Sequence, residues 1–153
     1  MHIKLDDLSH PQVHALLKEH MDDMVATSPP ESRHALDLSG LQKPNILFWT
    51  LWEQEELLGC GALKLLNSAQ GEIKSMRTAR VHMGNGVGRT MLNHIIAEAK
   101  HRKIQQLLLE TGSMAFFKPA HQLYLSAGFQ TCEPFGDYIE DPNSIFMTKY
   151  LSA

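Results

Sequence analysis

The sequence predicts one domain, residues 1–153, of mixed α/β or α+β class: a mixed sheet with helices on its faces. Three observations carry that expectation. The chain has 153 residues, 43% of them hydrophobic, enough for one continuous core and too few for two ordinary domains. Ten Gly, seven Pro and no repeat or single-residue bias argue against disordered, collagenous and solenoid architectures. Segments of period-two patterning also alternate with segments of helical period along the whole length.

His2 to Leu5 alternates weakly and is expected to be a first strand. Ser9 is placed to cap a helix with Pro11 in its first turn, and Val13, Leu16, Leu17, Met21 and Met24 fall on one face. Pro29 and Pro30 each force the preceding residue out of the helical region, so Thr27 to His34 reads as a loop, with a short helix around Ala35 to Leu38. Asn45 to Trp52 and Leu57 to Leu66 form the arms of a predicted hairpin turning at Gln54–Glu56. After a turn at Asn67–Gly71, Glu72 to Ala79 is expected to be a strand with Ile73, Ser75 and Arg77 on one face and Lys74, Met76 and Thr78 on the other.

Beyond Gly84-Asn85-Gly86-Val87-Gly88, the residues Val87, Met91, Leu92, Ile95, Ile96 and Ala99 share a helical stripe opposite Arg89, Asn93, Glu98, Lys100 and Arg102. Gln106 to Glu110 reads as a buried strand. Pro119 opens a short helix with Ala120, Leu123, Tyr124 and Ala127 on one stripe and Gly128 as its stop. Phe129 to Glu133 and Ser144 to Leu151 read as two last strands around an acidic loop.

Fourteen Lys plus Arg against 17 Asp plus Glu give a net charge of −3, with the basic residues scattered, so no nucleic-acid footprint appears. No apolar run approaches a membrane span, and the N-terminus lacks a signal-peptide core, which predicts neither membrane nor export. Cys60 and Cys132 cannot build a disulfide framework, and a cytoplasmic setting is expected. His10 and His14 have the four-residue spacing of a helical metal pair but lack an HExxH pattern, so no metal is expected and a surface pair is the better reading. Trp49 and Trp52 read as strand residues rather than base-stacking platforms.

Gly84, Gly86 and Gly88, after a strand and before an amphipathic helix, let a backbone approach an anion and aim N–H groups at it. A phosphate or pyrophosphate is the expected ligand. A nucleotide P-loop needs four residues between its glycines and a following Lys, and Rossmann spacing needs Gly where Arg89 stands, so neither applies. From the glycines alone, a tight strand-to-helix connection remains equally good.

The glycine turn, followed one helix and one strand later by Ala120-His121-Gln122-Leu123-Tyr124-Leu125-Ser126-Ala127-Gly128-Phe129, resembles the GNAT superfamily of acyl-CoA-dependent N-acetyltransferases in order and spacing. The likeness covers at least Glu72 to Phe129. Ser28 to Ser32, Leu109 to Ser113 and Glu140 to Ser144 further resemble a small bacterial YsnE-like subgroup. The chain departs from the pattern where Met83 replaces the usual Arg or Gln and Phe117 replaces a frequent Asn. Arg80 or Arg89 is then the candidate replacement for the missing charge.

The resemblance implies a mostly antiparallel sheet of six or seven strands with helices on both faces, and acetyl-CoA as the acyl-donor cosubstrate. It implies a pyrophosphate cradle from Met83, Gly84, Asn85, Gly86, Val87, Gly88 and Arg89, binding mostly through backbone N–H groups. It further implies a bulged strand whose backbone near Met76, Arg77 and Thr78 lies beside the pantetheine arm and donates to the oxyanion. Glu72 matches the family's general base and Tyr124 its general acid, while Glu110, at a strand end, is a rival base. Ser32, Arg33, His34, Asp137 and Tyr138 are expected to bind the acceptor, with Glu140, Asp141 and Asn143 beside them; the acids would suit a cationic amine, and Arg33 or Arg77 a carboxylate.

The implied function is acetyl transfer to a primary amine of a small molecule by direct attack in a ternary complex. The alternatives are protein N-acetylation and a catalytically silent acyl-CoA-binding or sensing module; keeping both Glu72 and Tyr124 counts against the silent module. A Cys acyl-enzyme is the minority route. Homodimers occur in the family, and the last strands could pair within or between chains.

Overall fold

A computed structural model describes residues 1–30 and 37–151. Strand β1 (His2–Leu5) leads to helix α1 (Pro11–Thr27), whose cap is His10 rather than Ser9. The Ser9 hydroxyl is taken by Asp7 at 2.6 Å, leaving the imidazole Nδ1 of His10 to accept from the Gln12 amide at 3.0 Å. His14 Nε2 lies 2.6 Å from the Leu8 carbonyl, so neither member of the His pair is set up as a metal ligand. Helix α2 is the single turn Leu38–Leu41, capped by Asp37 onto the Gly40 amide at 2.8 Å; the predicted short helix began earlier, at Ala35, which lies outside the described residues.

The hairpin forms as β2 (Ile46–Glu53) and β3 (Glu56–Leu65), followed by β4 (Gln70–Thr78) and a short 3₁₀ turn at Arg80–His82. Helix α3 (Val87–His101), β5 (Gln106–Gly112), helix α4 (Lys118–Ser126), β6 (Gln130–Cys132) and β7 (Ser144–Tyr150) complete the chain. Gly128, at φ +96°, ends α4 as its position predicts.

One seven-stranded sheet has the order β1-β2-β3-β4-β5-β7-β6, antiparallel except where β4 meets β5. The last two strands pair within the chain. Only Gln70 to Ile73 pairs with Gln106 to Leu109; beyond them β4 continues against β3 and β5 continues against β7. The two strands thus part, and a cleft opens in the middle of the sheet.

On one face α3 buries Val87, Met91, Leu92, Ile95 and Ala99 against Trp49, Leu51, Leu63 and Leu107, with Tyr124 and Phe129 joining from α4 and its exit. Each large apolar side chain so buried contributes about 1.5–3 kcal/mol. On the other face α1 and α2 cover Phe48, Trp52, Leu57, Cys60 and Ala62 with Val13, Leu16 and Leu41. Trp49 and Trp52 are therefore core residues of opposite faces.

Strand β4 departs from the predicted alternation. Between Cys60 and Ala62 of β3 stands one residue, whereas their partners Arg77 and Lys74 enclose two, and Ser75 takes φ +55°. This bulge shifts the pleat by one, so Met76 joins Ile73 on the α3 face while Arg77 turns to the α1 face.

Candidate active site

The glycine turn holds Gly84 at φ +85° and Gly86 at φ +80°, left-handed conformations that side chains strain to adopt. Gly86 is the N-cap of α3, and its carbonyl takes the Thr90 amide at 3.0 Å. The amides of the first helical turn, Val87 to Arg89, have no intrahelical acceptor, and Met83 to Gly86 are exposed. A Cβ at Gly84 or Gly86 would meet nothing within 4 Å, so the turn faces open space with its donors and the positive end of the helix dipole. The residues therefore suit a pyrophosphate without needing a side-chain cation.

Of the proposed replacements for that cation, Arg80 is paired with Asp23, while Arg89 stays on the rim with Nη2 3.0 Å from the Ser126 hydroxyl. Met83 is exposed beside the turn. The ring of Phe117 occupies the space above Gly112, where a Cβ would come within 2.2 Å of it, and lines the cleft.

The parting of β4 and β5 holds a cavity of about 120 Å³ lined by Glu72, Lys74, Ser75, Met76, Glu110, Thr111, Gly112, Tyr124 and, from α1, His20 and Met24. Ala79 donates its amide to Leu58 on β3, and the Arg77 amide faces the Cys60 thiol. Backbone alternation then sends the Thr78 and Met76 amides to the opposite edge, the one β5 has left. The amide of Met76, which lines the cavity, thus points to the cleft side, and the Arg77 amide does not.

Tyr124 enters from the α3–α4 face, its ring edge-on to Phe129 at 5.7 Å between centroids, and burial pushes its phenol well above the usual range. Glu72 enters from the α1 face and is 3% exposed. Its Oε2 accepts the Tyr138 hydroxyl at 2.6 Å and Lys74 Nζ at 3.2 Å. Tyr138 comes from the loop between β6 and β7, seated by Phe135 at 5.1 Å and Phe146 at 5.5 Å between ring centroids. Glu110 lines the same cleft from β5, and burial together with Glu72 and Glu110 pushes the Tyr138 phenol far upward.

Arg77 is buried, with Nη2 at 3.0 Å from Glu19 and 2.7 Å from Asp23 of α1. Its guanidinium is thus committed to the helix, which corrects its expected availability to a substrate carboxylate. Asp137 is exposed and does not line the cavity. Ser32, Arg33 and His34 lie outside the described residues. The pattern of the sequence missed Lys74, which alternation alone puts on the face of Glu72, and His20, which no local signal marks. Burial, reinforced by Arg77, lowers the His20 imidazole to about 4, so a neutral ring lines the cleft. Among the described residues no group of three or more His, Cys, Asp or Glu is placed to hold a metal, and no helix is long and apolar enough to cross a membrane.

A central sheet parted between β4 and β5, with an open glycine turn at the N-terminus of the helix after β4 and acid and base candidates on opposite sides, fits the class: an acyl-CoA-dependent N-acyltransferase. Residues 13–129 match the Acetyltransferase (GNAT) family, and the chain belongs to that family. It is 59% identical over 151 residues, 99% of this chain and all of the relative, to the uncharacterized N-acetyltransferase YsnE of Bacillus subtilis (strain 168). Its fold matches a proposed acyl-CoA N-acyltransferase of Klebsiella pneumoniae subsp. pneumoniae MGH 78578 with a TM-score of 0.82 at 31% identity, over 99% of this chain and 97% of that one. A GNAT family acetyltransferase of Elizabethkingia anophelis, solved with acetyl-CoA bound, shares the fold at a TM-score of 0.67 and 20% identity, covering 98% and 97%. The protein is accordingly an acyl-CoA-dependent N-acetyltransferase.

Proposed function

We propose that this enzyme transfers the acetyl group of acetyl-CoA to a primary amine of a small molecule, by direct attack within a ternary complex. The observation that carries the reading is that the Glu72 carboxylate and the Tyr124 phenol line one cleft from opposite faces of the sheet, with the glycine turn following β4 in the chain. Acetyl-CoA supplies a thioester whose carbonyl carbon accepts the amine nitrogen as the C–S bond breaks. Gly84 to Arg89 hold its pyrophosphate through backbone N–H groups, and the Met76 and Thr78 amides meet the carbonyl oxygen as negative charge develops there. Glu72, directly or through a water, removes one proton of the acceptor ammonium; as the tetrahedral intermediate collapses, Tyr124 gives its proton to the departing sulfur and is reprotonated by the second proton the nitrogen sheds. The dry surroundings that keep the Tyr124 phenol protonated also raise the proton affinity of a thiolate beside it, so the transfer is not opposed by burial alone.

Direct attack is supported by the state of the cysteines. Cys60 is buried, donates to the Ser75 carbonyl at 3.2 Å, and has its thiol pushed up to about 12 by burial, the opposite of a nucleophile. Cys132 lies on the edge strand β6, outside the cleft. Both are free thiols, in keeping with a reducing cytoplasm. A cationic amine suits a cleft whose carboxylates, Glu72 and Glu110, outnumber Lys74, its one cation among the described residues.

The test is the melting temperature with acetyl-CoA, CoA, ATP and NAD in parallel, followed by thiol release from acetyl-CoA with a panel of small mono- and polyamines. The expected result is a rise specific to the CoA species, equivalent to about 2.7 kcal/mol at a hundredfold excess over Kd, and amine-dependent release. No rise, or an equal one with ATP, overturns the donor assignment; release only with protein substrates overturns the small-molecule acceptor.

A further inference from the structure

The Glu72 carboxylate is held in an asymmetric way. Both of its donors converge on Oε2, and they also touch each other, with Lys74 Nζ donating to the Tyr138 hydroxyl at 2.9 Å. Oε1 accepts no hydrogen bond given by the described residues. The side chains of Lys74 and Glu72 are 9% and 4% exposed, a setting in which an ammonium and a carboxylate persist only when paired and hydrogen-bonded. Lys74 also lies 5.6 Å from the centroid of the Tyr138 ring, so it is held by charge, hydroxyl and π-face together. Tyr138 is itself fixed by Phe135 and Phe146, and Phe146 stands opposite Glu110 in the β5–β7 register.

From this geometry we infer that Tyr138 and Lys74 are positioning residues that lock Glu72 by one oxygen and leave the other for the acceptor amine, and that neither binds substrate. The inference rests on the reading of Glu72 as the base. It recasts Tyr138, which the sequence suggested as an acceptor-binding residue. It also ties the loop between β6 and β7 to the chemistry, because that loop delivers the hydroxyl that completes the lock. Glu110 faces the same cleft from β5. The remaining titratable groups on the cleft are Tyr124 from α4 and His20 from α1, with Glu19, Asp23 and Arg77 next to His20.

The experiment follows the side-chain carboxyl ¹³C signal of Glu72 through a pH titration of the protein without ligands, assigned by its absence in Glu72→Gln. Tyr138→Phe keeps the ring packing and deletes only the hydroxyl, and Lys74→Met keeps the aliphatic stem and deletes the charge. Each is expected to displace the Glu72 curve from that of the parent protein, because it removes one of the two donors held on Oε2. With the amine panel, each is expected to lower kcat tenfold or more while the KM for acetyl-CoA stays unchanged. An unmoved curve in both variants overturns the lock, as does a rise confined to the acceptor KM, which marks a substrate contact. If instead Glu72→Gln retains full turnover, the base reading falls, even where the titration shows that the lock exists.

Discussion

The two sides of the cleft are built in opposite ways. The proposed donor side is one unbroken run, Met83 to Arg89, where glycine conformations expose backbone N–H groups. The proposed acceptor side is assembled from β4, β5, α1 and the loop before β7, and brings together the side chains of Glu72, Lys74, Glu110, His20 and Tyr138. A backbone site is indifferent to most substitutions, so Met83 can stand where the resembling pattern has Arg or Gln. A side-chain site depends on single atoms and admits no such drift.

That contrast can be broken at its strongest point. Gly86→Asp places a carboxylate and a strained φ of +80° at the turn, in open space where it disturbs no packing. Calorimetry is expected to show acetyl-CoA affinity reduced about 1000-fold or more in a protein that still folds; unchanged affinity would mean that the donor side does not bind through this backbone. Tyr124→Phe is the next largest, with kcat expected to fall about 100-fold and the KM for acetyl-CoA to hold, because only a proton donor is lost. An equal rate in the variant would remove Tyr124 as the acid.

The smallest effect concerns stability. His20, near 4 in the folded protein and near 6.5 when unfolded, binds more protons unfolded, so its contribution is lost as pH falls from about 6.5 to about 4. The melting transition should lose about 2 kcal/mol of stability to this group between pH 7 and pH 5. His20→Gln is expected to flatten that part of the profile, and a profile of the same slope would show that the imidazole is not held neutral against α1 and β4.

Most of the fold was legible because strand and helix periods and the positions of Gly and Pro are local properties. The glycine turn entering α3 was legible for the same reason. The choice of His10 over Ser9 as cap of α1 is a local competition, decided once Asp7 takes the serine, that residue type alone does not rank; what local pattern could not give was that β4 carries a bulge and that Arg77 turns to Glu19 and Asp23. Lys74 and His20 went unread because their roles exist only after α1 and the loop before β7 have packed onto the sheet.

The bulge at Ser75 acts as a parity switch. Everything downstream on β4 occupies the face that an unbroken strand would assign to its neighbour, so the thioether of Met76 sits in the core and the charge of Arg77 meets acids. Straightening the strand with every residue kept would exchange the two, driving a guanidinium among Met91 and Ile95, whereas deleting one bulge residue would leave both on their present faces. The irregularity is therefore guarded by the folding requirement itself: at its present length, a straight β4 would cost the molecule its core.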